Sequence, residues 1–219
     1  MTRVALLIRG QFRLSDRRHD ELLDETLRCL SHVGWNVDLH VATYTDSVIS
    51  RLYEKNLCSI TRYQSPSDEY IRSTIETVAP GASRNRWEYG SPLNTFRQYR
   101  TASIGIAAVR AYDSYDLVVN TRPDCVIDIA PESAQACLDG LSYNAPHISS
   151  ETQFTNDQIG IARPSIMEKA WNPLSIPNLA QLVAKSLRGE DPLDMMIYKN
   201  ELHCKRLPIR NWGQHLQRE

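Results

Sequence analysis

The run Leu117-Val118-Val119 limits this chain more than any other stretch, because it ends in a proline and a carboxylate. In full the segment reads Tyr115-Asp116-Leu117-Val118-Val119-Asn120-Thr121-Arg122-Pro123-Asp124-Cys125-Val126-Ile127-Asp128. An apolar run rich in β-branched residues has the composition of a strand covered on both faces. Pro123 cannot donate a ladder hydrogen bond, so regular pairing should end near Arg122. Asp124 then stands just past the carboxyl end of a central strand, where open α/β sheets place their ligands. A carboxylate there suits a hard cation, which takes oxygen donors. Asp also commonly caps turns, and the two readings stand side by side.

The rest of the chain alternates strand-like and helix-like patterns. Residues 3–8 form a first apolar strand, residues 36–44 a second and residues 58–63 a weaker third. Later strands are expected around 145–148 and at 159–162, with an edge strand at 206–209 because Pro208 bars a central one. Helical spacing of apolar residues marks 20–33, a short helix from Asp46 with Val48, Ile49, Leu52 and Tyr53 on one face, and a helix from Ser67. Residues 94–112 should be the longest helix, and further helices are expected at 131–138, from Ser165, at 176–187 and at 191–204. Helices too many for one face imply three layers around a mixed sheet. With no repeat and no linker-like stretch, residues 1–210 read as one domain and the chain from Asn211 as a polar tail.

Composition narrows the function classes. The formal net charge is −1, so no global basic field points to nucleic acid. No apolar run is long enough to span a membrane. The five cysteines show neither C-x-x-C nor zinc spacing, which fits a reduced, cytoplasmic setting. Positive charge is local. Arg9-Gly10-Gln11-Phe12-Arg13 comes after the first strand, where Gly10 permits a sharp turn and guanidinium groups match phosphate oxygens. Arg97 and Arg100 fall in the first turns of the longest helix, whose N–H groups favour anions. Residues 79–92 form a long irregular stretch holding Arg84, Arg86, Trp87 and Tyr89, which reads as a lid or as a surface excursion. His40 lies mid-strand and reads as a satisfied core group.

Three signposts together resemble a known family. They are Ile8-Arg9-Gly10-Gln11-Phe12-Arg13, then Tyr115-Asp116 through Arg122-Pro123-Asp124, then Asn156-Asp157-Gln158-Ile159-Gly160-Ile161-Ala162. They look like those of small glycosyltransferase-like proteins of large viruses, phages and bacteria that share the GT-A nucleotide-sugar transferase fold. The resemblance implies a nucleotide-sugar donor, a glycan or other hydroxyl acceptor, and Mn²⁺ or Mg²⁺ holding the donor diphosphate. Arg122-Pro123-Asp124 resembles the family's Asp-x-Asp motif, with Asp124 as the metal ligand and Arg122 where the first carboxylate usually stands. It further implies a late histidine ligand, His203 (His215 second), and a catalytic or acceptor-binding carboxylate at Asp157. Arg9, Gly10, Gln11, Arg13, Arg97, Arg100 and Arg122 are the expected donor and phosphate contacts. Asp157 as a turn residue and His203 as a plain helix-end residue are the alternatives. At the level of function, a non-catalytic nucleotide- or glycan-binding module and a nucleotidyltransferase are the other candidates; the latter would need Asp124 and Asp128 to converge.

Overall fold

In the computed structural model, residues 1–13, 15–81, 91–112, 114–140, 147–149, 158–171, 175–189, 191–207 and 210–212 are described. The elements run β1 (Arg3–Arg9), α1 (Asp16–His32), β2 (Asn36–Tyr44), α2 (Arg51–Asn56), β3 (Leu57–Tyr63), α3 (Asp68–Val78) and α4 (Pro92–Tyr112). They continue with β4 (Leu117–Thr121), β5 (Val126–Asp128), α5 (Pro131–Gly140), β6 (His147–Ser149), β7 (Gly160–Ala162), α6 (Pro164–Trp171), α7 (Ile176–Lys185), α8 (Asp191–Lys199), β8 (Lys205–Leu207) and β9 (Arg210–Trp212).

Seven strands form one sheet in the order β3-β2-β1-β4-β7-β6-β8. The block from β3 to β4 is parallel, and β7 then runs antiparallel to β4. β4 is central, as its apolar run requires, and Val118 is 0% exposed. Alternate residues serve alternate faces. Val4, Leu6, Ile8, Leu117 and Val119 pack with Leu23 and Leu30 of α1, Tyr53 of α2 and Cys137 of α5. Ala5, Leu7 and Val118 pack with α3, α4, α6 and α7. This is the three-layer mixed α/β architecture expected from the sequence. Among the described residues no helix is long and apolar enough to cross a membrane.

α4 shows why small residues crowd its sequence. Its buried set includes Phe96, Tyr99, Ala102, Gly105, Ile106 and Val109, with the sheet on one side and α6 and α7 on the other. A Cβ on Gly105 would meet the Ala42 Cβ and Leu7 Cδ1 at 2.8 Å, so glycine is what lets the helix lie this close to β1 and β2.

Several expectations need correction. The short helix begins at Arg51, not Asp46: the Ser50 side chain caps it by accepting from the Tyr53 N–H, and Val48 is 71% exposed. α1 starts four residues before the expected Asp20, after Ser15. α8 ends at Lys199, and Glu201 at φ 52 turns the chain out of it. β5 has no counterpart among the expected strands. It pairs antiparallel with β9, Ile127 opposite Asn211, so the supposed tail starts inside a strand.

Candidate functional site at the β1/β4 switch point

From β1 the chain steps through β2 to β3 on one side and returns through β4 on the other. The order therefore reverses between β1 and β4, and the loops leaving these two strands lie side by side on the α1 side of the sheet's carboxyl end, where open α/β sheets place their ligands. Gly10 leaves β1 and Arg122-Pro123-Asp124 leaves β4. Gly10 takes φ +116, and a Cβ on it would lie 3.9 Å from the Pro123 Cδ. Its N–H donates to the Ala42 carbonyl at 3.0 Å and its carbonyl accepts from the Thr43 hydroxyl at 2.8 Å. The glycine turn is thus tied to β2 while it faces the β4 loop.

The Arg-Pro-Asp turn is held from several directions. The Cys125 N–H donates to the Arg122 carbonyl at 3.3 Å. Buried His19, on α1, places Nδ1 3.2 Å from the Pro123 carbonyl, which fixes the proton on Nδ1 because a carbonyl can only accept. Phe12 packs edge-on against both His19 and Tyr53, with ring centroids 4.9 and 5.0 Å away. Burial lowers the His19 pKa, keeping the ring neutral. Sequence reasoning passed over His19. The available signal was a histidine one turn into the helix that comes after the glycine loop.

Arg122 turns back on its own motif. Its Nε donates to Asp124 Oδ1 at 2.9 Å and its Nη2 to Oδ2. Burial alone would raise the Asp124 carboxyl, but the Arg122 hydrogen bonds and charge outweigh it and hold the pKa below the ordinary value.

The other expected site residues scatter. Arg9 is only 1% exposed. It lies at the end of β1 on the α6 side of the sheet, donating to Asn120 Oδ1 at 2.9 Å and stacking its guanidinium 4.7 Å from the Trp171 ring centroid. Asn120 Nδ2 and Thr121 Oγ1, at the end of β4, are buried without a hydrogen-bond partner. Gln11 accepts from Arg13 Nε at 2.9 Å on the exposed part of the first loop. Arg97 donates to the Pro66 carbonyl and pairs with Asp68, joining α4 to α3. Arg100 helps line a separate cavity of about 210 Å³ with Tyr63, Tyr70, Phe96 and Ile176. His203 is exposed past the end of α8. His40 is satisfied, with Ser59 Oγ 2.6 Å from Nδ1 and the Tyr115 hydroxyl 2.9 Å from Nε2.

Asp157, Trp87 and Tyr89 lie outside the described residues. The described chain enters β7 with Gly160 opposite Asn120, at the same sheet edge as Asp124. Asp128 is elsewhere. Its charge acts on Cys29 and Arg28, whereas that of Asp124 acts on His19. Ten residues of helix separate His19 from Cys29, or roughly 15 Å at the helical rise.

Among the described residues no group of three or more His, Cys, Asp or Glu could hold a metal. A hard cation needs less when a substrate supplies phosphate oxygens, and one carboxylate then suffices. Asp124, with 31% of its side chain exposed, is the carboxylate at this strand end that could take that role.

No protein-family model matches the chain, and no curated protein sequence matches it. Solved structures do resemble it. An active-site mutant of LgtC is 8% identical over 93% of this chain and 72% of that one, at TM-score 0.50. A putative nucleotide-diphospho-sugar transferase from Desulfovibrio desulfuricans is 14% identical over 94% and 80%, at 0.48. Mouse xyloside xylosyltransferase 1, in its apo form, is 11% identical over 94% and 84%, at 0.48. The fold is the GT-A fold of nucleotide-diphospho-sugar transferases.

Proposed function

We propose that this protein is a glycosyltransferase that moves a sugar from a nucleotide-sugar donor to an acceptor hydroxyl. The observation that carries the reading is that Gly10 and Pro123 of the Arg122-Pro123-Asp124 turn meet at the carboxyl ends of β1 and β4. A glycine turn lets a diphosphate approach the backbone, and Arg122 offers a guanidinium fork to its oxygens. Arg9 adds a fixed positive charge under the same edge, where a departing diphosphate gathers negative charge. A divalent cation bound at Asp124 would supply further stabilisation of that leaving group. Asp157 precedes the start of β7 by three positions, which supports its role as the general base that takes the acceptor proton.

A panel of nucleotide sugars, each with and without Mn²⁺, tests the proposal by thermal stabilisation. One donor class should raise the melting temperature, and Gly10→Val should remove the effect. No shift with any donor would count against the reading.

A further inference from the structure

The cavity of about 210 Å³ beside α4 has a lining that suits one kind of ligand. Its walls gather at the carboxyl edge of the sheet. Tyr63 ends β3, Tyr70 lies in the first turn of α3, Phe96 stands near the start of α4, and Ile176 opens α7. These walls are fixed from within. Arg97 Nη2 donates to the Pro66 carbonyl at 2.9 Å, and the Tyr63 hydroxyl is hydrogen-bonded to Thr101 on α4. A pocket built beforehand spends little free energy on ordering when a ligand enters.

Two polar groups in the lining are left over. Among the described residues, the Arg100 guanidinium and the Gln64 side-chain amide make no hydrogen bond or ion pair. Arg97, three residues earlier, is by contrast committed to Pro66 and Asp68. Burial pushes the Tyr63 phenol up and the Arg100 charge opposes that shift, so the guanidinium lies near the Tyr63 hydroxyl. No carboxylate lines the pocket among the described residues. A guanidinium stays charged at any ordinary pH, and its planar fork matches a carboxylate. An amide both donates and accepts, which suits hydroxyl groups. Tyr70, 45% exposed, offers a ring face at the open side. The volume falls short of the roughly 300–1,000 Å³ of a drug-sized site, so the room is for a single ring.

We propose that this pocket binds a uronic acid residue of a glycan acceptor, a role that rests on the transferase reading above. A uronic acid ring has an apolar face for the tyrosines, hydroxyls for Gln64 and a carboxylate for Arg100. An aromatic acid would fill the ring position and reach Arg100 but leave the Gln64 amide without hydroxyls to bond.

The test is a ligand-observed NMR titration of the full chain with methyl glucuronoside, methyl glucoside and benzoate, without nucleotide. Circular dichroism checks that Arg100→Gln and Tyr70→Ala are folded. The glucuronoside is expected to bind roughly tenfold more tightly than the neutral glucoside, the difference that one charge-assisted fork makes. Arg100→Gln should erase that difference, and Tyr70→Ala should weaken both glycosides. Should Arg100→Gln fail to fold, the glucuronoside preference of the wild type and its weakening by Tyr70→Ala must both still appear. Equal affinity for the two glycosides, or a preference that survives in folded Arg100→Gln, overturns the proposal. Benzoate binding more tightly than the glucuronoside also overturns it, because the pocket then takes an aromatic acid. Glucuronoside binding with no response to any nucleotide sugar would keep the pocket and sink the transferase reading; the reverse result would sink the pocket alone.

Discussion

At the scale of single residues, Asp124 shows how one ion pair links pH, stability and binding. Its pKa is lower in the folded chain than in the unfolded one, so its contribution is complete above the ordinary carboxylate value. That contribution is lost as pH falls through the depressed folded value. Both side chains are about a third exposed, which limits the pair to roughly 0–1 kcal/mol. Arg122→Ala should therefore cost a little stability at pH 7 and progressively less as acid protonates Asp124. Urea denaturation at pH 7 and pH 3 checks this, and a cost that grows in acid would contradict the pairing. Asp157 makes a separate prediction. Under the proposed role of Asp157 as general base, Asp157→Asn should lower kcat by about two to four powers of ten with donor affinity nearly unchanged. A turn residue would tolerate Asn, and turnover would survive.

At the scale of elements, α4 is held to the sheet by an absence of side chain. Gly105→Ala gains helix propensity, about 1 kcal/mol. Against that, its Cβ would collide with Leu7 and Ala42 at 2.8 Å, and overpacking of a dense core costs about 1–3 kcal/mol. The expected outcome is a net loss of up to about 2 kcal/mol, seen as a lower urea midpoint; a raised midpoint would show that α4 can lift from the sheet cheaply. The same elements show what a sequence can reveal. β4 and α4 were legible because their patterns are long, local and strongly apolar. β5 and β9 were not, since each spans three residues and finds its partner far along the chain. The short helix was misplaced because Val48 and Ile49 looked like one apolar face, whereas the Ser50 cap decides where the turn begins. At the site, the meeting of the Gly10 turn with Pro123 came from strand-end logic. That Arg122 folds back onto Asp124, and that Arg9 tucks under Trp171, depends on side-chain rotamers that no linear pattern records.

For the whole molecule, binding of the proposed donor would read out as stability. A donor at a hundred times its dissociation constant adds about 2.7 kcal/mol to the folded state by mass action. For a chain of this size that corresponds to a rise of roughly 5–10 °C in melting temperature. Differential scanning calorimetry on the purified chain, at rising donor concentration, should show the midpoint climbing with the logarithm of concentration. A midpoint that stays fixed for every donor would show that none is bound specifically.

The sheet order also dictates how the chain must be assembled as it is made. β1 needs β4 along one edge, and the contact between the Arg3 N–H and the Asp116 carboxylate spans 113 positions. At ordinary synthesis speeds the wait between those two points is on the order of 6–20 s. Throughout that interval β1 can pair with β2 alone, leaving Val4, Leu6 and Ile8 beside an open parallel edge. Such edges recruit other strands. A nascent chain is therefore most vulnerable between the emergence of β2 and that of β4. A fragment ending at Tyr112 should be insoluble or chaperone-bound, whereas one carried through β4 and β7 should become soluble; centrifugation of stalled chains of stepped length would locate the change. Solubility already present at Tyr112 would mean that α3 or α4 covers the edge in the interim.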